Sequence, residues 1–229
     1  MTQTQHVFDS AQTRKSSLTY WLHLPTGYGD DPDERWPLIL FLHGAGERGD
    51  DAVLVKKHGI VRIADEQPDF PFVAVSPQCP LDHWWSDFIP ELAALLDEVQ
   101  ATHAVDADRV YLTGLSMGAF GSWHLATEYP ERFAAAALIC GAPPWHLDMA
   151  SRAVRVKDMP LWFFHGDADD VVSIVGSRAM VDAVHAAGGD PQFTIYPGVA
   201  HDSWTETYDN PALYEWFLSK ERMANGERA

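Results

Sequence analysis

The sequence predicts an α/β protein in which about eight, mostly parallel strands form one sheet with helices on both faces. Short apolar, β-branched or aromatic runs alternate with longer segments compatible with helices, which is typical of parallel sheets flanked by helices. Two runs, at residues 37–42 and 161–164, are apolar throughout, as expected of central strands buried on both faces. With 46% hydrophobic residues, the chain can also fill a sizeable core.

Eight candidate strands can be placed in order along the chain. They lie near residues 3–8, 18–24, 37–42, 71–75, 109–113, 134–139, 160–164 and 192–196. Only the polar segment 9–17 separates the first two strands, and it is too short for a helical crossover. We therefore expect these two strands to form an antiparallel pair at one edge of the sheet.

Four helices are predicted from apolar periodicity and from residues that favour helix ends. In residues 91–103 four apolar side chains recur at helical spacing, and Pro90 suits a first turn. A second helix is expected over residues 117–129. Ser173 is a candidate N-cap of the third helix, and Asn210, followed by a proline, opens the last one.

Length and charge limit the domain organisation and the partners. The 229 residues include 16 basic and 33 acidic side chains, for a formal net charge of −17. This charge disfavours nucleic acid and anionic membrane surfaces as partners, and no apolar run approaches the about 18 residues of a membrane span. Because no segment has the composition of a linker, residues 1–229 are predicted to form a single domain.

The chain start and the cysteines predict a cytoplasmic protein. Residues 1–6 lack the basic and apolar regions of a signal peptide. Cys79 and Cys140 lie far apart and show no spacing typical of a metal site or a disulfide framework. We expect two buried thiols, no metal and no cofactor.

A candidate nucleophile follows the fifth predicted strand. Residues 114–118 read Gly-Leu-Ser-Met-Gly, which is the pattern G-x-S-x-G between a strand and a helix. A serine on such a sharp turn exposes its Oγ above the sheet edge, and the flanking glycines let the turn close. Ser116 is therefore predicted to be a nucleophile.

With this motif in place, the chain resembles the α/β-hydrolase superfamily over nearly all of its length. The resemblance implies that the orienting acid follows strand seven and that the histidine follows strand eight. His201, after the eighth strand, is then the general base for Ser116. Asp167, Asp169 and Asp170 all follow the seventh strand, and the family's His-Gly-x-x-Asp-x-x-Val pattern selects Asp169, with Asp167 as the alternative.

The same resemblance implies where the oxyanion of the reaction is held. One backbone donor is the N–H of Met117, at the start of the helix after the nucleophile. The other, in the segment His43-Gly44-Ala45-Gly46, is the N–H of Ala45. His43 and His165 both precede a glycine at a strand end, and in this family such histidines usually brace loops.

The residues around the expected site suggest an open, aromatic pocket. Only residues 140–159 separate strands six and seven, which leaves no room for the cap domain found in larger members. Several large aromatic side chains fall in or beside loops at the expected site, where they either line a substrate pocket or pack in the core: Trp84, Trp85, Phe120, Trp145 and Trp204.

Segments around residues 41–50 and 76–80 look most like small phospholipase/carboxylesterase and dienelactone-hydrolase members, including relatives labelled predicted peptidases. Dienelactone hydrolases have a cysteine nucleophile where this chain has Ser116, which disfavours their reaction. The resemblance implies a serine hydrolase that cleaves small carboxylic esters through an acyl-enzyme. A serine peptidase or acyl-protein thioesterase with the same triad, and a binding protein without turnover, are the alternatives.

Overall fold

The computed structural model describes residues 3–9, 17–67, 69–141 and 151–222. Within them, eight strands form one sheet in the order β1-β2-β4-β3-β5-β6-β7-β8. The strands are β1 (Thr4–Phe8), β2 (Leu18–His23), β3 (Trp36–Leu42), β4 (Val73–Pro77), β5 (Val105–Leu115), β6 (Ala135–Ile139), β7 (Leu161–Gly166) and β8 (Gln192–Tyr196). The eight predicted strands are confirmed.

The direction of the strands also follows the prediction. β1 pairs antiparallel with β2, and β2 pairs antiparallel with β4. All pairs from β4 onward are parallel, so β3 to β8 end at the same edge of the sheet. Loops that follow these strands therefore meet at one edge, where ligands bind in open α/β sheets.

Six α-helices are present in the described part of the chain. They are α1 (Gly59–Glu66), α2 (Ile89–Thr102), α3 (Met117–Glu128), α4 (Ile174–Ala186), α5 (Trp204–Asp209) and α6 (Pro211–Leu218). The predicted caps are confirmed, since Ser173 accepts a hydrogen bond from Val175 N–H and Asn210 accepts one from Ala212 N–H. Helix α1 was not predicted although its apolar residues recur at helical spacing, because it is short and His58 provides no side-chain cap.

The core consists of two apolar clusters, one on each face of the sheet. Along β3, Leu38, Leu40 and Leu42 lie in the cluster that also contains residues of α2, α3 and α4. Ile39 and Phe41 lie in the other cluster, with residues of α1, α5 and α6. This alternation explains why β3 is apolar throughout, and it confirms the predicted helices on both faces. That residues 1–229 form a single domain stays a prediction.

Candidate active site

Ser116 occupies a sharp turn between β5 and α3. Its φ and ψ are 51° and −117°, a conformation that costs free energy for any residue with a side chain. Its backbone N–H donates to the carbonyl of Ile139 at 2.8 Å, which ties the turn to the end of β6. The strained turn follows the strand-to-helix geometry expected of a nucleophile elbow.

The two glycines of the motif are required by close backbone contacts. A Cβ atom on Gly118 would lie 1.8 Å from the carbonyl oxygen of Leu42, at the end of β3. A Cβ atom on Gly114 would lie 2.4 Å from the carbonyl oxygen of Gly118. The helix after Ser116 can therefore approach β3 and β5 this closely only without side chains at these positions.

A chain of hydrogen bonds joins Ser116, His201 and Asp169. His201 Nε2 lies 3.0 Å from Ser116 Oγ, and His201 Nδ1 lies 2.7 Å from Asp169 Oδ2. The Asp169 side chain is buried, whereas that of His201 is 17% exposed. An imidazole with Nδ1–H on a carboxylate leaves Nε2 free to accept the serine proton.

Asp169 is held as an ionised acceptor. Burial alone would raise the pKa of its carboxyl, but hydrogen bonds from His201 and from the N–H groups of Val172 and Val171 outweigh burial and lower the pKa. The two backbone N–H groups donate to Oδ1 at 2.8 and 2.9 Å. Oδ2 therefore stays available to the histidine.

Asp167 has a different position from Asp169. It is exposed, and its Oδ1 accepts a hydrogen bond from Gly198 N–H at 2.6 Å. Ala168 N–H also donates to the carbonyl of Val199, 3.1 Å away. These contacts bind the loop after β7 to the loop after β8, and so hold Asp169 and His201 at a fixed separation.

The loop after β3 is oriented by a buried histidine. His43 Nε2 accepts a hydrogen bond from Cys79 N–H at 2.9 Å, so its proton is on Nδ1, which lies 2.6 Å from the carbonyl of Gly44. In a trans peptide the C=O and N–H point in opposite directions, so this bond turns the N–H of Ala45 the other way. Trp85 Nε1–H donates to the His43 carbonyl at 2.9 Å, and this bond also holds the start of the loop.

Because His43 is buried, we expect the protein to lose stability in weak acid. Burial lowers its pKa to about 4, below the ordinary 6.5, so the folded protein binds fewer protons than the unfolded chain between these values. Neutral His43 makes its full contribution to the free energy of unfolding above about pH 6.5. That contribution falls as the pH drops toward 4, by about 2 kcal/mol between pH 7 and pH 5. Urea unfolding at both pH values should show a smaller difference in His43→Gln than in wild type.

The matched control for this experiment is His185→Gln, because His185 is exposed at the end of α4. It should keep the wild-type difference in unfolding free energy between the two pH values. If His43→Gln also keeps that difference, His43 does not titrate as its burial requires.

Among the aromatic residues expected at the site, Trp84, Trp85 and Trp204 are the candidates for binding substrate, and they have different environments. Trp84 is 50% exposed, and Arg48, which donates to the Ala45 carbonyl, lies over its ring at 5.7 Å. Trp204 is half-buried, with its ring edge-to-face against His201 at 5.2 Å between centroids. Trp204 thus lies against the candidate base, whereas Trp84 lies against Arg48 of the loop after β3.

The expectation that Trp85 lines a substrate pocket is wrong. The side chain is 1% exposed and belongs to the core. It fills space that Gly121 of α3 leaves open, since a Cβ atom on that glycine would lie 2.3 Å from Trp85 Cβ. Phe120 is half-buried, and Trp145 lies outside the described residues.

Cys140 lies beside the elbow but is unsuited to be a second nucleophile. It follows β6 with a positive φ of 43°, and its side chain is fully buried. Burial raises the pKa of the thiol well above its ordinary value, so the reactive thiolate is disfavoured. Both cysteines are free and buried, and no cluster of potential metal ligands occurs in the described ranges. None of the helices within those ranges is long and apolar enough to cross a bilayer.

Comparison with known proteins places the chain in a family. Residues 70–210, more than half of the chain, match the family described as phospholipase/carboxylesterase. The crystal structure of a thermostable esterase superposes with a TM-score of 0.82 and 31% identity, over 96% of this chain and 63% of that chain.

Curated relatives include a depolymerase and a dipeptidyl-peptidase. A segment of 49 residues is 49% identical to poly(3-hydroxyalkanoate) depolymerase C of Paucimonas lemoignei, which is 21% of this chain and 12% of that protein. Dipeptidyl-peptidase 5 of Porphyromonas gingivalis is 24% identical over 244 residues, or 88% of this chain and 35% of the peptidase. The chain thus spans well under half the length of these two relatives.

The sheet order, the elbow at Ser116 and the family match agree with one another. The fold is that of the α/β hydrolases, and the chain belongs to the phospholipase/carboxylesterase family.

Proposed function

We propose that this protein hydrolyses small carboxylic esters through an acyl-enzyme, with Ser116, His201 and Asp169 as the catalytic triad. The observation that carries the proposal is the continuous hydrogen-bond chain from Asp169 Oδ2 through His201 to Ser116 Oγ. The lowered pKa of Asp169 keeps its carboxylate ionised, and Ser116 occupies a turn with the geometry expected of a nucleophile elbow.

In the acylation step, Ser116 Oγ attacks the ester carbonyl carbon while its proton moves to His201 Nε2. The resulting oxyanion accepts hydrogen bonds from the N–H groups of Ala45 and Met117, each worth roughly 3 to 4 kcal/mol in such sites. His201 then gives the proton to the departing alkoxide, which leaves as an alcohol. In the second step His201 takes a proton from water, whose oxygen attacks the acyl-enzyme, and Ser116 regains its proton as the acid is released.

Two features support a small, accessible ester as substrate. Trp84 is half exposed, and the triad histidine retains contact with solvent, so substrate can reach the site. Trp84 and Trp204 offer aromatic surface for an acyl or alcohol group beside the triad. The cytoplasmic location, the absence of a cofactor, and the absence of nucleic-acid and membrane partners stay predictions.

A peptidase is the main rival, since a dipeptidyl-peptidase is among the relatives and the same triad can cleave amides. Activity on p-nitrophenyl esters from acetate to decanoate, measured beside peptide p-nitroanilides, separates the two functions. We expect ester turnover at least about a hundred-fold faster than anilide turnover, because esters have the better leaving group. Comparable rates on both substrates would move the assignment to a peptidase.

A further inference from the structure

His165 contacts the same oxygen of the candidate catalytic carboxylate as His201 does. The residue lies in β7 and is fully buried. Its Nε2 is 3.1 Å from Asp169 Oδ2, the same oxygen that His201 Nδ1 contacts at 2.7 Å. One carboxylate oxygen therefore faces two imidazoles.

The hydrogen-bond partners determine where the proton of His165 lies. Nε2 also lies 2.9 Å from the carbonyl of Val172, so both of its neighbours are acceptors and Nε2 must carry a proton. Burial lowers the pKa of His165, which favours the neutral ring. The other ring nitrogen, Nδ1, lies 2.8 Å from the Oγ of Ser177.

Ser177 connects this imidazole to two further elements. It is a buried residue of α4, and its Oγ also lies 2.9 Å from the carbonyl of Gly141, beyond β6. His165 is therefore fixed between α4, the end of β6 and the loop that carries Asp169. The titratable groups that face its ring are Asp169 and His201.

We propose that His165 is a positioning residue for ester hydrolysis, which shares its Nε2–H between the Val172 carbonyl and Asp169 Oδ2. This inference rests on the proposed function. The second donor stops the carboxylate from rotating away from His201, and it withdraws part of the negative charge that Oδ2 offers to the His201 ring. His165 thus acts on the reaction through Asp169 and does not touch the substrate.

The test compares His165→Leu, which removes the donor, with His165→Gln, whose amide N–H groups can reach Oδ2 and the Val172 carbonyl. In His165→Leu we expect kcat to fall roughly 10- to 100-fold, as for a small misplacement of a catalytic group, with KM changed less than about two-fold. The acidic limb of the kcat/KM profile should move to higher pH, because an unshared carboxylate favours protonated His201. His165→Gln should recover most of kcat and the wild-type profile.

A Ser177→Ala variant separates this role from simple bracing of the loop. It loosens the packing around His165 but leaves the contact with Asp169, so it should lower the melting temperature without moving the pH profile. If His165→Leu changes only stability, as Ser177→Ala does, the positioning role is overturned. It is equally overturned if His165→Gln behaves like His165→Leu while remaining folded.

Asp169→Asn distinguishes a failure of this inference from a failure of the proposed function. If Asp169→Asn retains activity, the triad itself is wrong and the inference falls with it. If Asp169→Asn is inactive and His165→Leu retains wild-type kcat and profile, only the role of His165 is wrong. The control is Asp170→Asn, at the exposed position next to Asp169, which should remain active.

Discussion

Replacing Ser116 with alanine is expected to lower kcat/KM for a p-nitrophenyl ester by about 10⁴- to 10⁶-fold. The variant loses the only group that lies at hydrogen-bond distance from His201 Nε2 among the described residues, and no acyl-enzyme can form. The remaining activity would come from substrate binding and from the oxyanion donors, which stay in place. Because alanine retains the Cβ atom, the turn should keep its conformation and the protein its stability.

The measurement combines steady-state kinetics with labelling by a fluorophosphonate, which reacts with activated serines. Wild type should gain one label at Ser116 by mass spectrometry, and Ser116→Ala none. Ser219→Ala, at an exposed position after α6, is the control and should label as wild type does. Ester hydrolysis that persists in purified Ser116→Ala would show that another group is the nucleophile.

Replacing Gly118 with alanine is expected to cost more than about 4 kcal/mol of unfolding free energy, or to prevent folding, and to abolish activity. The added Cβ atom would lie 1.8 Å from the Leu42 carbonyl oxygen. This oxygen belongs to the backbone of a central strand, so it cannot move aside as the end of a flexible side chain can. Leu42 is paired with Gly114 of β5, so relief would require β3 or α3 to shift. Either shift would displace Ser116 and the Ala45 loop together.

Gly46→Ala is the matched control for this substitution. Gly46 lies in the loop after β3, and a Cβ atom placed there would meet nothing within 4 Å. Urea unfolding should give a change below about 1 kcal/mol for Gly46→Ala. A Gly118→Ala protein that unfolds at the wild-type urea concentration would mean that α3 lies farther from β3 than described.

Much of the fold could be predicted because buried parallel strands leave a strong signal. Runs such as residues 37–42 are apolar on both faces, and helix ends such as Ser173 and Asn210 carry their own caps. Helix α1 has apolar residues at helical spacing, but it is short and begins at Gly59 without a side-chain cap. A helix was therefore predicted here only where a residue typical of a helix end accompanied the apolar pattern.

Part of the candidate site could likewise be predicted from the sequence, and part could not. Ser116 follows from the motif, and Asp169 and His201 follow from what the family resemblance implies for the loops after strands seven and eight. Their contacts agree with that expectation, and their roles stay a proposal. Trp84 and Trp85 are neighbours in the chain, and only the space beside Gly121 makes the second of them a core residue. The contact of His165 with Asp169 was likewise not predictable, because it depends on how the loop after β7 folds back.

The candidate catalytic groups lie far apart along the chain, which affects when activity can return during refolding. Ser116 and His201 are separated by 85 residues, and the elbow is completed by a backbone contact with Leu42 of another strand. Contacts of such long range form late, because the entropy of closing large loops must be overcome first. Turnover of an ester should therefore return only at the end of refolding, so the recovery of activity reports when the sheet is complete.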